Sequence, residues 1–244
     1  MPGTELFGAE ERKEVQDVLE TGILFRYNHD VQRKGIWKAR EFEDEVRKIT
    51  GAKYALAVSN GSAAIAIALA SSGIGAGDEV IVPPFTFIAS VEAVLFVGAT
   101  PIFAEVDETL CLSAEGIEKA ITKNTKAVCL VHMCGGMADM DSIMQVINDY
   151  NLILVEDAGQ AFSSSYKGTA TGLFGNAGSY SFDFFKIATA GEGGIVVTND
   201  EEVFKLADCF ASAKFGHQPN LSEEKRKIAV SVELDLKFNF FTNP

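Results

Sequence analysis

The chain has 244 residues, 47% of them hydrophobic and 23% charged, with a formal net charge of −13. That balance fits a globular fold with a sizeable core, one large domain or one and a half ordinary ones. The acidic excess excludes a surface built to hold nucleic acid or anionic membrane.

The opening, MPGTELFGAEERKEV, carries acids where a secretory leader needs a basic end and an apolar stretch. No window approaches the roughly 20 apolar residues of a membrane-spanning helix, so the expected location is the cytoplasm. The first forty residues read as a helix followed by an extended arm with Phe25-Arg26-Tyr27-Asn28 and Trp37. From there short β-branched runs alternate with helical stretches. Tyr54 to Val58 reads as a strand, Ser59-Asn60-Gly61 as a turn, and the next helix opens at Ser62, which doubles as its cap. Glu79 to Val82 is a strand stopped by Pro83-Pro84, Phe87 to Val97 a helix, and Pro101 to Val106 a strand. Ser113 caps a helix running to about Thr122, Lys126 to Met133 is an apolar strand, and Asp141 to Tyr150 is a helix. Asn151 to Glu156, Tyr180 to Phe182 and Gly194 to Thr198 are further strands, before a helix from Asp200 to about Ala213.

Strand and helix alternation with nearly continuous apolar strands predicts an α/β fold, a mostly parallel sheet sandwiched by helices. Ligands bind such sheets at the carboxyl ends of strands. Gly73, Gly75 and Gly77 imitate a dinucleotide fingerprint, but they follow a helix and precede a strand, the reverse of what that motif needs. The four cysteines (Cys111, Cys129, Cys134, Cys209) lack metal-ligand spacing and read as core thiols of a reducing compartment.

Three segments carry chemistry. Gly61 and Ser62 stand at a strand-to-helix turn, where backbone N–H groups, a hydroxyl and a helix dipole together hold a phosphate. Asp157 closes the strand NLILVED, placed to pair with a protonated pyridine nitrogen, and Glu156 points to the opposite face. Lys186 lies between strand-like aromatics and GEGG. That setting predicts partial burial, which depresses a lysine's pKa and frees the amine to form a Schiff base. Ser181 is placed to donate to the phosphate, Phe87 to stack on the ring, and Gln160 to reach the ring if the chain turns helical after Asp157. His132 reads as structural or substrate-side rather than as a catalytic base. The chemistry that needs this set is that of pyridoxal 5′-phosphate.

The motifs GSAA, GDEVIVPPFTFIAS, PIFAEVD, EDAGQA, GLFGNAGSYSF and K-x-x-x-x-GEGG run in order from about residue 40 to 200. They resemble the DegT/StrS family of pyridoxal-phosphate-dependent sugar aminotransferases. The resemblance implies the large domain of a fold-type-I transferase over 41–215, with an N-terminal helix and arm over 1–40. It implies Lys186 as the Schiff-base lysine, Asp157 on the pyridine nitrogen, Ser62 and Ser181 on the phosphate, and Phe87 and Gln160 flanking the ring. It further implies a glutamate donor, a sugar acceptor and a homodimer sharing its active sites. FRYN, PIFAEVDETLCLS and VHMCGGMA resemble the branch that aminates an 8-oxo sugar acid of lipopolysaccharide.

Residues 216–244 read as a loop and the incomplete start of a C-terminal region, the family's small domain being absent. Asn239 corresponds to an asparagine that reaches the neighbouring subunit's cofactor phosphate, with Phe240, Phe241 and Thr242 where an arginine usually follows. The competing readings are a cofactor-binding remnant or regulator without turnover and a sugar dehydratase of the same scaffold. The dehydratase replaces the lysine by histidine, against Lys186. A nicotinamide-dependent oxidoreductase is the reading from outside the family.

Overall fold

The computed structural model describes residues 3–211. Helix α1 (Ala9–Thr21) ends at Gly22, whose φ of 67° lets the chain turn left-handed there. The stretch that follows is not an extended arm. It turns at Asn28 and His29, both with positive φ, into the short helix α2 (Asp30–Arg33). Trp37 is then flanked by the Arg33 and Arg40 guanidiniums, 4.2 Å and 3.6 Å from its ring centre. Helix α3 (Lys38–Thr50) leads into the sheet.

In chain order the rest is β1 (Tyr54–Val58), α4 (Gly61–Ser71), β2 (Glu79–Val82), α5 (Ala89–Phe96), β3 (Thr100–Phe103), α6 (Ala114–Ala120), β4 (Thr125–Val131) and α7 (Met140–Asp149). Then come β5 (Ile153–Asp157), a small hairpin of β6 (Ser165–Tyr166) and β7 (Thr169–Ala170), β8 (Ala177–Ser181), β9 (Gly194–Thr198) and α8 (Glu201–Ala211). Seven strands form one sheet in the order β1-β9-β8-β5-β4-β2-β3. Pairing is parallel from β8 through β3, whereas β9 runs antiparallel to both neighbours. The expected α/β class and mostly parallel sheet are therefore what the chain builds.

Alternation along the strands explains the two covered faces. Val80, Val82, Ala127, Cys129 and Val155 bury against α4, α5 and α8. Ile81, Val128, Leu130 and Leu154 bury against α6 and α7. Helix α4, GSAAIAIALAS, is apolar on every side and must lie inside. It joins β1 to β2, which are separated in the sheet by β9, β8, β5 and β4, so it crosses the sheet. Its alanines let that crossing stay close.

Topology also sets one edge. Strand β5 is parallel to β8, and β1 runs parallel to β8 through their shared antiparallel neighbour β9. The carboxyl ends of β1, β5 and β8 therefore open on the same side. Gly73, Gly75 and Gly77 lie in the turn between α4 and β2, away from that edge. Residues 216–244, with Asn239, Phe240, Phe241 and Thr242, lie outside the described residues. No described helix is long and apolar enough to cross a membrane.

Candidate active site

A cavity of about 720 Å³ lies at the shared carboxyl edge. Gly61 and Ser62 line it from α4, Asp157 from β5, and Ser181 from β8. Phe87, Gln160 and Lys186 complete it from loops. All seven residues named from the sequence thus meet in one volume, although they span 126 positions of the chain by their numbers, 61 to 186. A volume of that order suits a cofactor together with part of a substrate.

The phosphate corner is built by close approach. A Cβ on Gly61 would stand 2.7 Å from Ser181 Cβ and 2.9 Å from Ser181 Oγ, so glycine is required there. The cap of α4 is Asn60 rather than Ser62: the Asn60 side chain accepts from Ala63 N–H at 2.8 Å. The reason is register. A cap must precede the first helical residue, and Ser62 is already the second. The correction frees the Ser62 hydroxyl from capping, at a helix end whose first N–H groups have no intrahelical acceptor.

In the same cavity, Asp157 is 8% exposed. Its Oδ2 accepts from Ser90 Oγ at 2.6 Å and its Oδ1 from Gly159 N–H at 3.0 Å. The chain does not turn helical after Asp157; a tight turn follows, closed by Ala161 N–H on the Ala158 carbonyl. Gln160 reaches the cavity from that turn. Its Oε1 accepts from Cys134 N–H at 3.0 Å, and its Nε2 faces Met133 Sδ at 3.7 Å.

Glu156 faces the other side, as strand alternation requires, and is fully buried. It accepts from the N–H groups of Gly172, Phe174 and Gly175 at 2.8, 2.7 and 3.0 Å. His132 Nε2 also faces it at 3.0 Å. His132 is fully buried and structural, and it is not part of the cavity lining.

Lys186 is half-buried, and among the described residues its amine makes no hydrogen bond or ion pair. Its backbone is held from two sides: its N–H donates to the Asp183 carbonyl at 3.0 Å, and its carbonyl accepts from Gly3 N–H at 3.1 Å. Phe87 is 66% exposed, with its ring free to be covered. Cys111, Cys129 and Cys209 are buried as expected, but Cys134 is exposed. It sits at φ 56° in the turn after β4, where the strand has left the core, and shares a second, smaller cavity with Lys186.

Sequence reasoning passed over Ser90, Gly159, Asn60 and Gly194. Asn60 had a signal, since Asn is as good a cap as Ser. Ser90 had none: it is a lone hydroxyl in a helix whose other residues are apolar save Glu92, and only tertiary packing brings it to Asp157.

The residues present fit pyridoxal 5′-phosphate on these observations: a glycine cradle at a helix end, a buried carboxylate in the same cavity, and an amine between loops that has no partner among the described residues.

Comparison with known proteins gives the family. The model of the DegT/DnrJ/EryC1/StrS aminotransferase family matches residues 6–235. The GDP-perosamine synthase of Escherichia coli O157:H7 is 45% identical over 166 residues, covering 68% of this chain and 46% of that protein. The spore coat polysaccharide biosynthesis protein SpsC of Bacillus subtilis (strain 168) is 42% identical over 199 residues, covering 81% of this chain and 49% of that one. The X-ray structure of the aminotransferase from Psychrobacter cryohalolentis superposes with a TM-score of 0.77 at 36% identity, covering 95% of this chain and 62% of that one. The chain thus spans about half the length of the curated relatives it matches.

Proposed function

The chain belongs to the DegT/DnrJ/EryC1/StrS aminotransferase family, and from that membership we propose that it moves an amino group from L-glutamate to a keto- or aldehydo-sugar. The family and its fold-type-I structural neighbours use pyridoxal 5′-phosphate. The observation that carries the reading is the single cavity holding Lys186, Asp157 and the Gly61–Ser62 helix end. The cofactor, when bound, supplies the carbonyl that takes up the donor's amine and the electron sink for charge at the donor's α-carbon.

The protein's own part is placement and proton handling. The Lys186 amine would hold the cofactor and would carry the proton to and from the donor's α-carbon. The Asp157 carboxylate would accept the ring N–H and keep the proton on that nitrogen. The amide groups at the start of α4, with the Ser62 and Ser181 hydroxyls, would hold the phosphate dianion, where the helix dipole adds favourable charge. Phe87 would cover one face of the ring and Gln160 would flank it. The division into an arm over 1–40, a cofactor domain over 41–215 and a C-terminal region over 216–244 belongs to the same proposal.

The finer substrate is an 8-oxo-3-deoxy-octulosonate destined for lipopolysaccharide, supported by the segments FRYN and VHMCGGMA. A cytoplasmic homodimer is the working state. Exposed Phe85, Phe87, Ile88, Phe185 and Ile187 support it, since a second copy would cover apolar surface around the loops that bear the site.

The first test is a visible absorption spectrum of the purified chain with pyridoxal 5′-phosphate, before and after glutamate. A band that moves to the aminated cofactor's position supports the donor half of the reaction; an unresponsive band leaves a cofactor-binding remnant. Borohydride should fix the cofactor to the wild type and not to Lys186→Ala, and equal fixation of both would remove Lys186 from its role. Mass spectrometry of products from the 8-oxo acid and from nucleotide-linked keto-sugars separates the substrate readings.

A further inference from the structure

We propose that Ser90, with Thr86 behind it, is a positioning residue that fixes the Asp157 carboxylate for its contact with the cofactor ring. The proposal rests on the cofactor reading of the cavity given above.

Ser90 is fully buried near the start of α5. Its hydroxyl donates to Asp157 Oδ2 at 2.6 Å, while Gly159 N–H donates to Oδ1 at 3.0 Å. Each carboxylate oxygen is therefore pinned by a different part of the chain, one by a helix and one by the turn after β5. Two pins fix the plane of a carboxylate, whose terminal torsion is otherwise broad. An ionised carboxylate only accepts, and it keeps acceptor capacity on both oxygens after two such bonds.

The direction of the chain of hydroxyls follows. Ser90 has one proton, and it goes to Asp157. Thr86 Oγ1, 2.8 Å from Ser90 Oγ, then donates to the serine oxygen. Its other acceptor, the Phe87 carbonyl, is more distant at 3.2 Å. Thr86 to Ser90 to Asp157 is thus a relay in which every proton points toward the carboxylate, the arrangement that strengthens each bond in series. Neither hydroxyl residue lines the cavity, although Phe87, Ala89 and Asp157 do. Whatever Ser90 does for the cofactor, it does through Asp157.

The test uses the full chain and four proteins: wild type, Ser90→Ala, Ser90→Thr and Thr86→Val. Affinity for pyridoxal 5′-phosphate is read by absorbance titration, the pH dependence of the bound cofactor's visible band by spectroscopy, and folding by melting without cofactor. Ser90→Ala should bind about tenfold more weakly, the loss of one hydrogen bond to a charged group, and should shift the pH midpoint of the band. Ser90→Thr keeps the hydroxyl and should recover most of the affinity. Thr86→Val, at a half-buried position, should give a smaller loss in the same direction. If Ser90→Thr does not fold, Thr86→Val decides.

Wild-type binding with an unchanged affinity and band in both Ser90→Ala and Thr86→Val would overturn the positioning role and leave the cofactor reading standing. A folded Ser90→Thr that fails as Ser90→Ala does would assign the effect to packing and overturn it too. A wild type that binds no cofactor removes the reading and the positioning role together.

Discussion

His132 and Glu156 meet 3.0 Å apart with neither exposing any surface. Glu156 Oε2 faces His132 Nε2 and accepts Gly172 N–H, while Oε1 accepts the N–H groups of Phe174 and Gly175. One side chain therefore fastens the 172–175 loop onto the middle of the sheet, directly behind Asp157. Because a carboxylate oxygen is an acceptor, Nε2 is the ring nitrogen that carries the proton toward it.

Glu156→Gln tests that arrangement. Its amide nitrogen would face donors with a donor, leaving buried N–H groups unpaired, at a cost of about 3 kcal/mol. Denaturant unfolding should show this loss, with a lower melting temperature. A change below about 0.5 kcal/mol, the range of ordinary surface substitutions, would mean that the loop is held by other contacts.

Gly194 controls the phosphate corner from behind. It opens β9, and a Cβ there would overlap the Asn60 carbonyl and stand 2.8 Å from Gly61 N. Both neighbours are backbone, so Gly194→Ala must push the turn before α4 outward. The expected cost is about 1–3 kcal/mol of stability, together with weakened cofactor binding. Unchanged affinity in a destabilised variant would separate this glycine from the phosphate corner.

Cys134 offers a chemical probe of the same region. Burial raises the Cys111 thiol pKa, and burial followed by the nearby Asp157 charge raises that of Cys129. Cys134 alone of the four is exposed. A thiol reagent should therefore modify one equivalent quickly in the folded protein, and Cys134→Ser should abolish that phase. Since Cys134 and Lys186 line one small cavity, bound pyridoxal 5′-phosphate should slow the reaction. Equal rates with and without cofactor would place the thiol outside the bound ligand's reach.

Tyr180 gives the fold an alkaline limit. It is fully buried, and its hydroxyl donates to the Thr171 carbonyl. Burial raises its pKa, a hydrogen bond with the Thr171 side chain opposes that shift less strongly, and the nearby Glu156 charge adds to the rise. The folded chain thus keeps a proton that the unfolded chain releases. The resulting stability is complete below about pH 10, the ordinary tyrosine value, and is lost as pH rises from there toward the folded-state value. Melting temperature should fall more steeply above about pH 10 in the wild type than in Tyr180→Phe, which should also lose about 1 kcal/mol at neutral pH. Parallel pH profiles for the two proteins would count against this contribution.

Much of this molecule is written in local pattern. The strands Tyr54–Val58, Glu79–Val82 and Gly194–Thr198 have the boundaries that their apolar runs and flanking turn residues dictate, and Ser113 caps its helix as placed. Period-two burial put Asp157 and Glu156 on opposite faces before any fold was known. Glycine and serine at a strand-to-helix turn, an acid at a strand end and a lysine before a glycine run named four of the cavity's residues, Gly61, Ser62, Asp157 and Lys186, because each type is suited to its own part of the chemistry.

What the sequence could not contain was the meeting of distant parts. The antiparallel course of β9 depends on pairing with both β1 and β8, which no local period encodes. Cap choice between Asn60 and Ser62 turned on one residue of helix register. The turn that replaces a helix after Asp157 is held by Gly159 on that side chain. Ser90 reads as one more small helical residue until α5 packs on the sheet and sets its hydroxyl 2.6 Å from Asp157. Residue type and spacing decided which groups could do the chemistry; packing decided what holds them in place, since hydrogen bonds between residues 67 positions apart exist only once the fold has closed.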